Sequence, residues 1–169
     1  SNMRGAYRSI GINRNDFMSL IQINDNRPDD IKAIQWLSFA SNAFNVMVPF
    51  YADIETTPDY LSNTTGEVST DNFYWSSRMM AAMADASYKK SIFHIERYQE
   101  HVLSKGHEII NRYDDMIQNE ADTDKHLALK HEANQAVADM LKAATSDTLG
   151  KVLYELSNEM KNAYSRSDA

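Results

Sequence analysis

Histidine is the residue type in this sequence most suited to metal or acid–base chemistry, and all five lie in the C-terminal half. His94 and His101 are seven residues apart and therefore share roughly one face of a helix, whereas His107 is off that face. A two-histidine site needs a third ligand, but Glu108 lies two turns, about 10 Å, beyond His101. No HExxH motif is present. The pattern favours solvent-exposed histidines on an amphipathic helix, and we predict neither a metal nor a cofactor.

A nucleophile is harder still to find. The chain contains no cysteine, so disulfides, thiolate metal sites and cysteine nucleophiles are all excluded within it. No serine stands in a Gly-x-Ser-x-Gly elbow, and the carboxylates are spaced as on solvated helix faces. His126 and His131 are five residues apart and are predicted to point to different helix faces. We therefore predict no catalytic residue in this chain.

One pair of residues suits ligand binding better. Arg14 follows Asn13, and its guanidinium is a rigid donor fork that fits a carboxylate. The pair lies where the first strands are expected to turn. The alternative is a turn asparagine beside a surface arginine.

Three apolar runs in the first third of the chain predict β-strands, at residues 16–23, 34–40 and 44–51. The third run alternates, and Pro49 within it marks an edge, a bulge or a strand end. A weaker strand is predicted at residues 7–13. The short links between the runs favour antiparallel pairing.

The rest of the chain is predicted to be a long polar loop at residues 53–71, followed by four helices. Ser69, Thr70 or Asp71 is expected to cap the first helix. The second carries an apolar stripe from Ile92 to Ile117, and the third spans residues 122–142. The last is predicted to begin at a cap formed by Ser146 or Asp147.

Methionines on the first of these helices have two interpretations. Met79 and Met83 form a helical stripe with Trp75 and Ala86, and Met80 lies beside it. These side chains could line a ligand groove, but core packing is the more common role and the one we favour.

Length and charge set the broad class. A chain of 169 residues has the length of one domain, and a net charge of −7 with scattered basic residues argues against nucleic-acid binding. No apolar segment is long enough to span a bilayer. Residues 1–3 are interpreted as a tag remnant, and residues 4–169 as a single α+β domain with strands in 4–52, a loop at 53–71 and helices in 72–169. Cysteine usage favours a cytoplasmic protein.

Several short motifs occur in an order that resembles the dipeptidase A family of cysteine peptidases. They are Gly11-Ile12-Asn13-Arg14, Ile34-Gln35-Trp36-Leu37, Val48-Pro49-Phe50-Tyr51, Ser69-Thr70-Asp71 before Tyr74-Trp75, and Tyr98-Gln99 before Lys105-Gly106. The similarity covers about residues 7–117. The resemblance implies membership of the N-terminal-nucleophile hydrolases and an αββα sandwich with antiparallel sheets. It also implies metal-free hydrolysis of dipeptides by an N-terminal cysteine whose own α-amino group is the base.

This chain departs from that family in having no cysteine and in being much shorter. We therefore expect a C-terminal fragment of a longer dipeptidase, inactive alone, whose partners are the missing N-terminal portion and, in the intact enzyme, a dipeptide. Its polar strand ends are expected to form a wall of the substrate pocket, with Asn13, Arg14, Asn42 and Asn45 as the substrate-binding residues. An incomplete sandwich should also self-associate into a homo-oligomer.

A non-catalytic interaction module is the alternative. In that case, acidic amphipathic helices would bind a partner protein. The two interpretations differ in where the helices of residues 122–164 pack: against the sheet in a dipeptidase fragment, and against another chain in a module.

Overall fold

A computed structural model describes residues 15–41 and 43–160 of the chain. It begins with a three-stranded antiparallel sheet in the order β1-β2-β3, formed by Phe17–Ile23, Ala33–Phe39 and Val48–Tyr51. Helices follow: α1 (Asp59–Ser62), α2 (Phe73–Ala86), α3 (Tyr88–Asn119), a short 3₁₀ helix (Thr123–Lys125) and α4 (His126–Asn158). The predicted α+β class, with strands before helices, is confirmed. The weaker strand predicted at residues 7–13 lies outside the described residues.

The strand register gives the sheet two distinct faces. Trp36 pairs with Leu20 and with Pro49, and directly opposite residues share a face. We call this side the helix face, because Trp36 contacts His107 of α3, with ring centroids 5.0 Å apart. The opposite side, the outer face, carries Phe17, Ser19, Ile21 and Ile23 of β1, Ala33, Gln35, Leu37 and Phe39 of β2, and Val48 and Phe50 of β3.

The third strand is shorter than predicted. The alternation from Phe44 predicted a strand over residues 44–51, but only Val48–Tyr51 is extended and paired. The reason is Asn45, whose side-chain Oδ1 accepts from the Val46 amide at 2.8 Å and so takes a backbone donor that a ladder would need. Phe44 and Val46 are still buried, so the alternation indicated core positions and not a strand.

The predicted long loop contains the single-turn helix α1, and it ends at a different cap from the one expected. Asn72, not Ser69, Thr70 or Asp71, caps α2: its Oδ1 accepts from the Trp75 amide at 2.9 Å.

The buried face of α2 is rotated from the predicted one. Met80 is fully buried, with Phe73, Ala81 and Ala84 beside it, whereas Met79 and Met83 are only partly buried. The Trp75 side chain instead donates to the Thr65 carbonyl at 2.9 Å. The buried face of α2 includes small residues such as Ser76 and Ser77. A search for a stripe of large apolar residues therefore does not identify this face.

One long helix replaces the two predicted for the last third. The chain runs as α4 from His126 to Asn158 without a break at Ser146 or Asp147. Asp147 does not cap a backbone amide: its Oδ2 accepts from Lys151 Nζ one turn later, at 2.5 Å. Thr145 and Thr148 are buried, and Thr145 Oγ1 lies 2.8 Å from the Tyr98 hydroxyl of α3. This buried polar contact keeps the helix packed through a segment whose composition predicts a turn.

Helix α3 carries the predicted apolar stripe and packs closely on the sheet. Ile95, Val102, Ile110 and Ile117 are all buried in the common core. At Gly106, an added Cβ would lie 2.8 Å from Pro49 Cδ of β3, closer than side-chain carbons pack. Glycine is therefore what allows this helix to lie directly against the strand.

Helix α4 covers the free edge of β3. The Asn134 amide forms two hydrogen bonds with the Tyr51 backbone: Oδ1 accepts from its N–H at 2.8 Å, and Nδ2 donates to its carbonyl at 3.1 Å. Both groups point away from β2 and would otherwise be buried without a partner. A single side chain thus forms the hydrogen bonds that a further strand would form with the edge of β3. It also binds the last helix to the sheet.

Candidate functional site

The connection between β2 and β3 carries two of the four predicted substrate-binding residues. β2 is followed by Ala40, whose backbone lies in the left-handed region with φ of 63° and turns the chain sharply. Asn42 lies outside the described residues, as do Asn13 and Arg14. Of the four, the structure therefore locates only Asn45.

Asn45 is 3% exposed, and its polar atoms are used within the connection. Its Nδ2 donates to the Phe39 carbonyl, its Oδ1 accepts from the Val46 amide, and its own carbonyl accepts from Gln99 Nε2 of α3 at 2.8 Å. Gln99 Nε2 also lies 3.5 Å from the Ala43 carbonyl. Asn45 and Gln99 therefore hold the shape of the connection, and direct contact between Asn45 and a substrate stays a prediction.

The start of β1 lies beside this connection. The Ala40 amide donates to the Asp16 carbonyl at 2.9 Å, and Asp16 also pairs with Arg78 of α2. β1 therefore begins at the end of the sheet where β2 turns towards β3.

The histidines are distributed as single contacts. His94 and His101 both line a groove of about 550 Å³ between α3 and α4, with Arg97 and Lys151 nearby, and His94 Nε2 lies 3.4 Å from Glu155 Oε1. His107 packs on Trp36. Within residues 15–41 and 43–160, no three histidine, aspartate or glutamate side chains are arranged to hold a metal ion.

At the other end of the sheet is a buried cluster that the sequence did not indicate. The Tyr51 hydroxyl donates to Asp114 Oδ1 at 2.7 Å, and Arg27 Nη2 lies 2.5 Å from Asp114 Oδ2. Burial raises the pKa of the Asp114 carboxyl, against the opposing effects of Tyr51 and Arg27. Burial, and then the hydrogen bond to Asp114, raises the pKa of Tyr51 as well. The cluster joins the β1–β2 connection, β3 and α3, which is a structural role.

A second cluster lies at the same end, around the start of α4. His126 Nδ1 lies 2.6 Å from Asp30 Oδ2, and its Nε2 lies 3.0 Å from the Glu120 carbonyl oxygen. Lys130, 3% exposed, donates to Asp53 Oδ2 at 2.9 Å and to the Asp30 carbonyl at 3.3 Å. An open cavity of about 660 Å³ adjoins them. Partners 77 to 100 residues apart leave no local signal, so a single sequence could not reveal this cluster.

The profile of peptidase family C69 matches residues 1–101, which include all three strands, α2 and part of α3. The chain belongs to peptidase family C69. The predicted resemblance to dipeptidases is confirmed.

Individual relatives agree with this assignment. The chain is 38% identical over 163 residues to a probable dipeptidase A of Streptococcus pyogenes serotype M3, 96% of this chain and 34% of that protein. It is 36% identical over 202 residues to a dipeptidase of Bifidobacterium longum, 98% of this chain and 38% of that protein. It is 31% identical over 153 residues to dipeptidase A of Lactobacillus helveticus, 89% of this chain and 31% of that protein. The chain spans about a third of the length of the curated relatives it matches.

Proposed function

We propose that this chain is the C-terminal portion of a cysteine-dependent dipeptidase and is inactive by itself. The observation that carries the proposal is the similarity to dipeptidases along nearly the whole chain but only about a third of their length. The 169 residues include no cysteine. A thiol nucleophile would therefore belong to the remaining two thirds of the enzyme.

In this proposal the cysteine and its α-amino group do the bond-breaking chemistry. The amine takes the thiol proton, and the thiolate attacks the dipeptide carbonyl. The peptide C–N bond then breaks as the leaving amino group takes that proton, which leaves a thioester. Water hydrolyses the thioester, releases the first amino acid and restores the thiol. The chain described here contributes neither the nucleophile nor the base. Its role is to complete the fold and to provide one wall of the substrate pocket.

The open side of the sheet supports a role as part of a larger fold. Large apolar side chains on the outer face of β1 are between 54% and 64% exposed; we call them the β1 patch, formed by Phe17, Ile21 and Ile23. Among the described residues no further strand pairs with β1. In an αββα sandwich, a second sheet would pack on the exposed β1 part of the outer face, and further strands would extend the β1 edge. Such packing would bury the β1 patch.

The proposed pocket wall consists of the β2–β3 connection, with Asn42 and Asn45, and of the segment before β1, with Asn13 and Arg14. The hydrogen bond from Ala40 to Asp16 supports this grouping, because it joins the start of β1 to the end of β2. Arg14 is suited to the substrate carboxylate. Asn45 and Gln99 would keep the connection in the shape that presents the other groups.

An assay of complementation tests the proposal. The purified chain is incubated with dipeptides alone, and then with the separately produced part of the Streptococcus pyogenes relative that this chain does not match. We expect hydrolysis only when both are present, and its loss after treatment with a thiol-alkylating reagent. Thiol-dependent turnover by this chain alone would contradict the proposal.

A matched pair of substitutions tests the docking surface. Ile21→Asp places a charge in the β1 patch, whereas Leu103→Asp places one on a similarly exposed apolar site of α3; the two side chains are 55% and 45% exposed. We expect Ile21→Asp to reduce the complemented activity at least about tenfold, because a buried unpaired charge is costly. Leu103→Asp should leave it within about twofold. Equal effects would show that the β1 patch is not the docking surface.

In isolation, we propose that the β1 patch makes the chain self-associate, and that the chain is a cytoplasmic protein. Exposed apolar surface of this kind is usually covered by another chain, and a chain without cysteine has no disulfide, which agrees with a reducing compartment. None of the helices in the described part of the chain is both long and apolar enough to cross a membrane. Sedimentation velocity tests the self-association. A monomer at every concentration would contradict it.

The interaction-module alternative is not favoured by the packing. Its distinguishing feature is that the last helices pair with another chain. Instead, α4 packs on α3 and binds the edge of β3 through Asn134. This arrangement supports the dipeptidase proposal.

A further inference from the structure

His126 joins two connections that are far apart in sequence. It is the first residue of α4, and its Nδ1 lies 2.6 Å from Asp30 Oδ2 in the β1–β2 connection. Its Nε2 lies 3.0 Å from the carbonyl oxygen of Glu120, the residue that follows α3. A carbonyl oxygen can only accept a hydrogen bond, and an ionised carboxylate likewise has no proton to donate. Both ring nitrogens of His126 therefore face hydrogen-bond acceptors when Asp30 is ionised.

The number of protons on the ring decides whether both contacts can form. A neutral imidazole has one N–H donor, and its other nitrogen is an acceptor, so one of the two oxygens would face a lone pair. An imidazolium has two donors and satisfies both. We propose that His126 is a pH-sensitive latch that, when protonated, fastens the β1–β2 connection to the junction between α3 and α4. This inference concerns conformational control and does not depend on the proposed peptidase function.

The charges around the ring are mainly acidic. Asp29 and Asp30 lie on the β1–β2 connection, and Glu120 and Asp122 lie on the α3–α4 junction. Asp53 and Glu55 follow β3 and line the same cavity. The nearby cations already have carboxylate partners: Lys32 with Asp29, Lys125 with Glu120 and Asp122, and Lys130 with Asp53. Local charge therefore favours the imidazolium, although the positive end of the α4 dipole opposes it.

The titration of His126 follows from these contacts. The Glu120 carbonyl, and then the Asp30 carboxylate, raise the pKa of His126 above its ordinary value, and burial opposes them. A histidine whose pKa is higher in the folded state stabilises that state when protonated. Its contribution is fully present below the unfolded pKa of about 6.5 and is lost as the pH rises through the folded pKa. Protonated His126 therefore fastens the connection at a pH below the unfolded pKa, and this contribution weakens as the pH rises through the folded pKa.

Opening can be followed at amides within the β1–β2 connection. The Asn24, Arg27 and Ile31 amides donate to carbonyls of the same connection, at 2.9 to 3.1 Å. After correction for the intrinsic pH dependence of exchange, their protection should fall as the pH rises from 6 to 9, by up to about tenfold for each unit by which folding raises the pKa of His126. The Phe44 amide, which donates to Ser41 in the other connection, serves as the reference and should not follow this change.

Nuclear magnetic resonance of the full 169-residue chain provides the direct test. Ring nitrogen shifts should show both nitrogens of His126 protonated at pH 6, and a titration midpoint above 6.5. Asp30→Asn keeps an oxygen acceptor but removes the charge, and should lower the midpoint and reduce the change in amide protection. Asp71→Asn is the matched control, because it removes a carboxylate that pairs with Lys142 elsewhere.

Several outcomes would overturn the inference. A midpoint of 6.5 or below in the unsubstituted chain would show that the imidazolium is not favoured. A raised midpoint without a change at the Asn24, Arg27 and Ile31 amides would show that His126 titrates without controlling the connection. Equal shifts from Asp30→Asn and Asp71→Asn would show that general charge is responsible, and not the contact with Asp30.

Discussion

The β3 edge of the sheet is covered by helices of this chain, whereas the β1 edge is exposed. At β3, both faces are buried, α3 lies against Pro49, and Asn134 of α4 takes the free backbone groups of Tyr51. At β1, four large apolar side chains are more than half exposed, and no described strand covers the edge. The sheet is therefore complete on the side that this chain's own helices cover. The open side is where the rest of a larger fold would be expected.

The strongest test of this contrast uses two phenylalanines on the same face of the sheet. Phe50 of β3 is 4% exposed and Phe17 of β1 is 54% exposed. We expect Phe50→Ala to lower the free energy of unfolding by about 3 to 5 kcal/mol, because it leaves a cavity in the core. Phe17→Ala should cost about 1 kcal/mol or less. Urea unfolding of both variants measures the difference, and similar losses would mean that β1 is as well packed as β3.

Removal of the edge cap should have the next largest effect. Asn134→Ala leaves the Tyr51 N–H and carbonyl without their partner in a buried site. Each unsatisfied group costs about 1 to 3 kcal/mol, so we expect a loss of about 2 to 5 kcal/mol in the free energy of unfolding. The neighbouring Gln135 is exposed, and its side chain donates to Asp139 of the same helix, so Gln135→Ala is the control and should change little. A decrease of less than about 1 kcal/mol in the free energy of unfolding of Asn134→Ala would show that water can replace the Asn134 amide.

The smallest effect concerns the approach of α3 to β3. Gly106→Ala gains about 1 kcal/mol of helix propensity but forces a contact with the rigid Pro49 ring, which costs about 1 to 3 kcal/mol. We expect a net loss of up to about 2 kcal/mol. Gly150→Ala in α4 meets no atom within 4 Å and should stabilise the chain by about 0.5 to 1 kcal/mol. Thermal unfolding of the pair should therefore shift in opposite directions, and a shared sign would show that Gly106 is not tightly packed.

How far the sequence predicts this fold depends on the kind of signal. The runs over residues 16–23 and 34–40 predicted β1 and β2 to within one residue at each end, because long apolar runs bounded by turn formers are strong strand signals. The stripe from Ile92 to Ile117 likewise predicted α3. The helix start predicted at Ser146 or Asp147 was wrong, because residues that are good helix caps also occur within helices.

The candidate site was less predictable than the elements. Short motifs were enough to assign the dipeptidase resemblance, which the family match confirms. They were not enough to show that the Asn45 amide is used within its own connection, or that Gln99 supports that connection. The contact between His126 and Asp30 joins residues 96 positions apart, and no periodicity extends over such a distance.

The sequence by itself determined the order of strands and helices, the absence of a cysteine nucleophile and the resemblance to dipeptidases. These depend on residue type and local spacing, which are read along one chain. Only the tertiary structure decided that Asn134 closes one edge of the sheet, that β1 stays open, and that both nitrogens of His126 face acceptors. Each of these depends on contacts between residues that are far apart in the sequence. Such contacts are set by the packing of the whole core, which no local pattern records.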